Sequence, residues 1–158
     1  MLLPPDLRQW LEEGHLAYFI IDIVEELDLS QIYASYDGSR GGRPGFDPRL
    51  LHSMCTIESR FNPQAVSPKG ARGPFQLIDA TADRFLVQDP FNPEENLLGA
   101  LRYLRFLLGL YGDRRLDLIL AAYNCGEECV ERFGRRVPPI PETRSYVNNV
   151  LKLYRQSI

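Results

Sequence analysis

Apolar residues recur at three- and four-residue spacing along most of the chain, which is the pattern of amphipathic helices. The most regular stripe consists of leucines, at Leu97, Leu98, Leu101, Leu104, Leu107 and Leu108. Asn-Pro-Glu-Glu precedes it at residues 92–95, with an N-cap asparagine, a proline at the first helical position and a glutamate three residues after the cap. This arrangement predicts a helix that begins at Pro93 and continues to Gly112.

The remaining pattern is also helical. Asp47-Pro48 begins a predicted helix that carries Glu58, and further helices are predicted at 80–85, 115–123 and 127–133 and from Pro141 onward. Residues 62–78 are rich in Pro and Gly and are predicted to form a loop with extended pieces. Because strand signals are almost absent, we predict a mainly α, all-α fold.

The first third of the chain differs from the rest. Apolar residues between Leu7 and Leu27 predict an N-terminal helical extension, and residues 38–45 have the glycine-rich composition of a flexible linker. Residues 1–50 contain nine acidic and four basic residues, a net charge of −5, whereas the remainder carries +2. We therefore predict an N-terminal segment over 1–45 and a main domain over 46–158.

Composition indicates an ordinary globular chain. Its 158 residues are 44% hydrophobic and 25% charged, and the net charge of −3 does not suit a nucleic-acid binder. The longest apolar run, 16–21, ends at Asp22, far short of a membrane span. No signal peptide is visible at the start, so the chain as written is expected in the cytoplasm unless another route exports it.

The cysteines give no sign of a metal centre. Cys55, Cys125 and Cys129 form no CxxC pair, and their odd number argues against a disulfide framework. Cys125 and Cys129 are expected to be small buried or half-buried residues. The sequence thus predicts neither a metal nor a cofactor.

Glu58 is the carboxylate with the most unusual setting. In a helix it shares one face with Leu51, Met54 and Cys55, and it lies just before the Asn-Pro that ends the helix. Desolvation and the negative end of the helix dipole both raise a carboxyl pKa, and a protonated carboxyl can act as a general acid. The alternative is a side chain that turns to solvent at a frayed helix end, and this spacing alone favours that alternative.

Several motifs occur in a fixed order. Residues 57–77 read Ile-Glu-Ser-Arg-Phe-Asn-Pro-Gln-Ala-Val-Ser-Pro-Lys-Gly-Ala-Arg-Gly-Pro-Phe-Gln-Leu. Asp-Pro-Phe-Asn-Pro-Glu-Glu-Asn follows at 89–96, Ala-Ala-Tyr-Asn-Cys-Gly at 121–126 and Glu-Thr-Arg-Ser-Tyr-Val at 142–147. Over about residues 46–154 the chain resembles the catalytic domain of soluble lytic transglycosylases, whose fold is similar to that of goose-type lysozyme.

The resemblance implies a substrate and a reaction. The family cleaves peptidoglycan between N-acetylmuramic acid and N-acetylglucosamine without water and leaves a 1,6-anhydromuramoyl end. Glu58 stands at the position of the family's single catalytic acid and base. Most glycosidases need two carboxylates, but here the C6 hydroxyl of the muramoyl ring would serve as an intramolecular nucleophile.

The same resemblance implies substrate-binding residues. Ser59 stands where the family has a serine that helps to hold substrate, and Gln76 where a glutamine lines the cleft. Tyr123 and Asn124 lie in the box beside the acid, and Asn124 offers both a donor and an acceptor. Tyr146, in the Glu-Thr-Arg-Ser-Tyr-Val motif at 142–147, matches a tyrosine of the family that lies close to the catalytic carboxyl. Each of these residues also has a structural alternative. Tyr123 and Tyr146 could be core aromatics, Asn124 could be a helix C-cap, and Gln76 could be a solvated loop residue.

The chain departs from the family at a few positions. Phe75 replaces a methionine and could stack on a sugar, while Pro74 replaces a leucine and removes a backbone donor. Cys125 replaces a small alanine, and Glu127 and Glu128 stand where the family often has Pro-Gly. The changes at 74 and 125 put the level of activity in question.

The first third of the chain reads Met-Leu-Leu-Pro-Pro-Asp-Leu at 1–7, Leu-Ser-Gln-Ile-Tyr-Ala-Ser-Tyr at 29–36 and Gly-Gly-Arg-Pro-Gly-Phe-Asp-Pro-Arg at 41–49. Through these motifs, about residues 1–50 resemble the N-terminal segment of certain insertion-sequence transposases. The acidic nuclease residues of those enzymes have no counterpart here, and a net charge of −5 does not suit binding to DNA phosphates. We therefore expect no transposition and no nucleic-acid partner. The apolar faces of the segment could pack on the main domain or mediate self-association, and a passive extension is an equal alternative.

The predicted function is thus that of a peptidoglycan lytic transglycosylase with Glu58 as acid and then base. One alternative is a hydrolytic muramidase that recruits a second carboxylate such as Asp79. Another is a peptidoglycan-binding module that has lost turnover.

Overall fold

The computed structural model describes Leu16, Asp22 and residues 47–156. Residues 47–156 form six helices: α1 (Pro48–Ser59), α2 (Asp79–Arg84), α3 (Pro93–Tyr111), α4 (Leu116–Cys125), α5 (Glu127–Arg132) and α6 (Pro141–Gln156). Within this range the extended structure consists of isolated bridges, Val66 to Arg72 and Arg72 to Leu77. The mainly α prediction and the loop with extended pieces are confirmed.

Two of the predicted helix starts have the expected caps. The Asp47 carboxylate accepts a hydrogen bond from a backbone N–H two residues later, and the Asn92 amide oxygen accepts from two N–H groups at the start of α3. Prolines occupy the first helical position of both helices, where no N–H is needed. In a capping box the glutamate three residues after the cap accepts from the backbone N–H of the cap residue. The Glu95 carboxylate instead accepts from the backbone N–H groups of Gln88 and Asp89.

Helix α4 lies at the centre of the fold. Residues 118–123 are all buried, and α4 packs against α3, α5 and α6. Helix α1 packs against α6, and α2 packs against α3. A helix that is apolar around its whole circumference must be enclosed by other elements. This enclosure holds α4 in place and so positions the residues at its C-terminal end, Tyr123 and Asn124.

The predicted N-terminal segment and linker over 1–45 lie outside the described residues, apart from two positions. Leu16 and Asp22 are helical; Leu16 packs against the core, and Asp22 is exposed. In the part of the chain that the structure describes, no helix combines the length and the apolar character needed to cross a membrane.

Candidate active site

A cavity of about 400 Å³ opens where the end of α1, the end of α4 and the start of α6 approach the loop before α2. Its walls combine ionisable, amide, hydroxyl and apolar side chains. The lining residues are Glu58, Ser67, Lys69, Ala71, Gln76, Leu77, Ile78, Thr81, Tyr103, Tyr123, Asn124, Cys125, Gly126 and Glu142. Three of the four motifs, those at 57–77, 121–126 and 142–147, therefore contribute to one concave site of the kind that binds small ligands and oligomers.

Glu58 lies in this cavity on the last turn of α1. Its side chain is half-buried, and removal of the carboxyl from water raises its pKa from 4.5 to about 8. The Tyr146 hydroxyl opposes this shift by favouring the ionised form, and the negative charge of Glu142 adds to it. A carboxyl with such a pKa keeps its proton at neutral pH, which is the state a general acid needs.

This pKa shift predicts a pH-dependent difference in stability between the natural chain and Glu58→Gln. Between pH 4.5 and 8 the folded chain holds a proton that the unfolded chain has lost, so the stability due to protonated Glu58 declines as pH rises through this range. Glutamine does not titrate. We therefore expect the Gln variant to gain free energy of unfolding relative to the natural chain between pH 4 and pH 8.5, measured by urea denaturation. A difference that does not change with pH would contradict the assigned environment of Glu58.

Tyr146 is a buried tyrosine whose hydroxyl lies beside Glu58. Its side chain is 6% exposed, and its hydroxyl is the buried side-chain polar atom in the described residues that has no hydrogen-bond partner of ordinary geometry. A buried polar group without a partner costs free energy and calls for an explanation. The Tyr146 hydroxyl interacts with Glu58 and is able to donate a hydrogen bond to it when Glu58 is a carboxylate.

Ser59 and Phe75 do not line the cavity. The Ser59 hydroxyl donates to the Pro74 carbonyl over 2.8 Å and so ties the end of α1 to the loop. The Phe75 ring is fully buried in the core, so it offers no face on which a sugar could stack. The stacking role expected for Phe75 does not fit this geometry, because the apolar ring turns inward while its neighbour Gln76 turns to the cavity.

Gln76 lines the cavity with its amide already partly engaged. Its Nε2 donates to the carbonyls of Gly73 and Ala65, at 2.8 and 3.2 Å. Both amide hydrogens are thereby used, and the amide oxygen remains to accept a hydrogen bond from a ligand. The backbone of Gln76 has φ of 50°, an uncommon conformation for a residue with a side chain.

Tyr123 and Asn124 lie side by side at the end of α4. The Tyr123 hydroxyl donates to the Phe75 carbonyl over 2.9 Å, and its ring lies 5.3 Å from the Tyr103 ring. The Asn124 amide oxygen accepts from the Thr143 hydroxyl over 2.9 Å. Tyr123 therefore joins α4 to the loop, while Asn124 keeps its amide hydrogens for the cavity.

Sequence reasoning assigned no role to several lining residues. Lys69 and Glu142 pair over 2.6 Å at the cavity, although 73 positions separate them in the chain. The Tyr103 hydroxyl lies 3.0 Å from the Ala122 carbonyl and 3.1 Å from the Glu127 carboxylate. Lys69 and Glu142 fall in the motifs, whereas Tyr103 lies beyond them in α3. Helical spacing alone does not distinguish a lining aromatic such as Tyr103 from a core aromatic.

The loop that carries Gln76 is held by Asn96 of α3, which is completely buried. Its amide oxygen accepts from the Phe75 N–H over 2.8 Å, and its Nδ2 donates to the carbonyls of Arg72 and Pro90 over 3.0 and 2.9 Å. Gly73 lies against the same group, and a Cβ there would come within 2.0 Å of the Pro90 carbonyl oxygen. The loop geometry therefore requires both Asn96 and a glycine at 73.

Cys125 and Cys129 form a disulfide between the end of α4 and α5, with their Cα atoms 5.9 Å apart. The sequence predicted two small buried or half-buried residues and not this bond, because a separation of four residues fits two packed thiols equally well. Cys55 is a buried free thiol whose pKa rises to about 12 on burial. In residues 47–156, together with Leu16 and Asp22, no group of three or more His, Cys, Asp or Glu side chains is placed to hold a metal ion.

Comparison with known proteins identifies the class of the fold. The all-helical arrangement is lysozyme-like and matches solved lytic transglycosylases. The sequence profile of the Transglycosylase SLT domain family matches residues 35–139. The chain belongs to this family.

Individual relatives support the assignment over part of their length. The chain is 42% identical to membrane-bound lytic murein transglycosylase F of Serratia proteamaculans over 85 residues, which are 51% of this chain and 18% of the relative. The protein of the same name from Thiobacillus denitrificans is 42% identical over 96 residues, 58% of this chain and 20% of the relative. The chain thus spans about a fifth of the length of these curated relatives.

Two solved structures share the fold. The lytic transglycosylase Slt of Pseudomonas aeruginosa, solved as an inactive mutant, aligns with a TM-score of 0.58 and 26% identity over 68% of this chain and 21% of its own. The 70 kDa soluble lytic transglycosylase of Escherichia coli aligns with a TM-score of 0.62 and 24% identity over 90% of this chain and 26% of its own.

Proposed function

We propose that this chain is a peptidoglycan lytic transglycosylase that cleaves the β-1,4 bond between N-acetylmuramic acid and N-acetylglucosamine. The observation that carries the proposal is Glu58, a carboxyl whose burial raises its pKa to about 8 inside a cavity large enough for sugar rings. Membership of the Transglycosylase SLT domain family supports the same activity.

The proposed reaction uses Glu58 twice. Protonated Glu58 donates its proton to the bridging oxygen while the bond from that oxygen to C1 of the muramoyl ring breaks. The Glu58 carboxylate then takes the proton of the C6 hydroxyl as the C6 oxygen forms the new bond to C1. No water is consumed, Glu58 regains its proton, and the intramolecular nucleophile needs no second carboxylate.

The other carboxylates near the site support this over hydrolysis. Asp79, the candidate to position a water, is paired with Arg72 and does not line the cavity. Glu142 does line it, but its carboxylate is paired with Lys69. Among the described residues that line the cavity, Glu58 is thus the carboxyl that is protonated and ready to donate.

The remaining site residues have distinct proposed roles. Gln76 and Asn124 hydrogen-bond the sugar substituents, the first through its amide oxygen and the second through its amide hydrogens. Tyr146 donates to Glu58 once it is ionised. Tyr123 forms part of the wall, and Ser59 acts indirectly by fixing the loop that carries Gln76.

Product analysis tests the proposal. Purified peptidoglycan digested with the chain should release muropeptides with 1,6-anhydromuramoyl ends, each 18 mass units lighter than the hydrolytic product because water (about 18 Da) is not added. Muropeptides with reducing muramic acid ends would instead identify a hydrolase. Retained binding to peptidoglycan with no product would identify a binding module.

We further propose that the domain extends from about residue 46 through α6 and that residues 1–45 are an added, transposase-like segment, whose last residues, 35–45, the family match overlaps. Helix α6 lies beyond the end of the family match but packs against α1 and α4 and carries Tyr146, which supports its inclusion. The sequence resemblance is the support for the added segment, and self-association through its apolar faces stays a prediction.

A further inference from the structure

The Cys125–Cys129 disulfide joins two residues in different surroundings. Cys125 is the last residue of α4, is half-buried, and lines the cavity that also contains Glu58. Cys129 belongs to α5, is 4% exposed, and does not line the cavity. The bridge therefore has one end beside the candidate active site and the other end inside the protein.

The cavity wall next to Cys125 is open. Gly126 follows Cys125 and also lines the cavity. Among the described residues, none apart from the chain neighbours of Gly126 has a heavy atom within 4 Å of the place that a Cβ on this glycine would take. A small molecule in the cavity can therefore approach Cys125, whereas Cys129 becomes accessible only when α5 opens locally.

This difference in access determines how the bridge would react with a thiol. A thiolate exchanges with a disulfide by attacking one of its two sulfur atoms. Attack on the Cys125 sulfur forms a mixed disulfide between Cys125 and the incoming thiol and breaks the bond to Cys129. The electron pair of the broken bond stays on the Cys129 sulfur, which takes up a proton. One thiol is consumed and one is formed, so the step needs no separate oxidant or reductant.

The same arrangement makes the exchange reversible. The freed Cys129 sulfur stays four residues from the mixed disulfide. As a thiolate it can attack the Cys125 sulfur, restore the internal bridge and expel the small thiol. An alanine at position 125, as in the family that the chain resembles, would allow neither step.

We propose that Cys125 is a thiol-exchange site, at which a low-molecular-weight thiol of peptide size forms a mixed disulfide that fills the cavity and stops cleavage until Cys129 displaces it. The blocking of cleavage rests on the proposed function, whereas the exchange at Cys125 does not. A peptide attached at Cys125 lies beside Asn124 and shares one cavity of about 400 Å³ with Glu58. It takes up the room that a sugar needs to reach the acid.

Exchange in the natural chain tests which sulfur reacts, with the tripeptide glutathione as the probe. The chain is incubated with reduced glutathione, and the reaction is stopped at a series of times with N-ethylmaleimide, which caps free thiols. Peptide mass spectrometry should find glutathione on Cys125 and the cap on Cys129. Glutathione on Cys129, or the absence of any mixed disulfide at Cys125 throughout the series, would overturn the exchange site.

Two variants provide a matched comparison of the two thiols. Cys129→Ser and Cys125→Ser each remove one sulfur and with it the bridge. Glutathione disulfide then forms a mixed disulfide with the remaining thiol and releases glutathione. Cys129→Ser should react at least about tenfold faster than Cys125→Ser, because a buried thiol reacts only in the fraction of chains that is locally open. Cys55, which is buried, should stay unmodified in both variants and so reports that they are folded.

Peptidoglycan cleavage by the same samples tests the block, with each variant compared with its own untreated sample. Cys129→Ser should lose cleavage in proportion to the fraction of chains that carry glutathione and should regain it with dithiothreitol. Cys125→Ser should cleave at the same rate before and after treatment. Undiminished cleavage by Cys129→Ser that carries glutathione on Cys125 would overturn the block.

The position of glutathione in the natural chain is measured without reference to cleavage, which separates this inference from the proposed function. A chain that exchanges at Cys125 but cleaves no peptidoglycan overturns the proposed function and retains the exchange site. A chain that releases anhydromuramoyl products but takes up glutathione at Cys129, or at neither cysteine, overturns the inference alone.

Discussion

Glu58→Gln is expected to lower the rate of peptidoglycan cleavage by about 100- to 10,000-fold, the range that a positioned general acid contributes. Glutamine has the shape of glutamate but no proton to give to the leaving oxygen and no negative charge to accept one from the C6 hydroxyl. Because the same side chain would serve both steps, we expect the loss to approach the upper end of this range. Release of anhydromuropeptides, followed by mass spectrometry, measures it.

The control for this experiment separates chemistry from folding and binding. Glu94→Gln changes an exposed glutamate in the first turn of α3, away from the cavity, and should retain the activity of the natural chain. The Glu58→Gln chain should remain folded and should still bind peptidoglycan, because the substitution keeps the shape of the site. Activity of Glu58→Gln above a tenth of the natural rate would show that another group supplies the proton.

Asn96→Ala is expected to destabilise the fold by about 3–5 kcal/mol, since each buried polar group left without a partner costs about 1–3 kcal/mol. The substitution would strand the Phe75 N–H and the Pro90 carbonyl inside the protein, whereas the Arg72 carbonyl would keep its bond from the Leu77 N–H. A loss of this size is a large part of the 5–15 kcal/mol by which a typical domain is stable. Chemical denaturation should show a lower midpoint with an unchanged slope.

Two companion variants identify the cause of that loss. Asn148→Ala, at an exposed position of α6, should change the free energy of unfolding by no more than about 0.5 kcal/mol. Asn96→Asp fills nearly the same volume but places a carboxylate oxygen against the two carbonyls, so it should be at least as destabilising as the alanine. A mild effect of Asp beside a large effect of Ala would assign the loss to packing and not to hydrogen bonds.

The helices could be predicted from the sequence because their signals are local. Proline after an aspartate or asparagine cap predicted the starts of α1 and α3, and the leucine stripe predicted the length of α3 to within one residue of its end at Tyr111. The order of the motifs predicted the family, which the profile match confirms. Glu58 stood out for its apolar helical face, but spacing alone favoured a solvent-exposed side chain.

The contacts across the site could not be predicted in this way. The sequence of the loop before α2 fits Phe75 as either a wall or a core residue, and the tertiary packing decided for the core. The cysteines at 125 and 129 fit either free thiols or a bridge, and the geometry of the turn between α4 and α5 decided for the bridge. In each case the local pattern allowed two arrangements of the same residue.

By itself the sequence determined where the helices begin and end and which class of fold they form, and it predicted Glu58 as the catalytic carboxylate. These properties depend on residues within a few positions of one another. Only the tertiary structure decided that Glu58 is desolvated, that Lys69 pairs with Glu142, and that Asn124 lines the cavity. Those outcomes depend on burial and on partners from distant parts of the chain, which periodicity and spacing do not record.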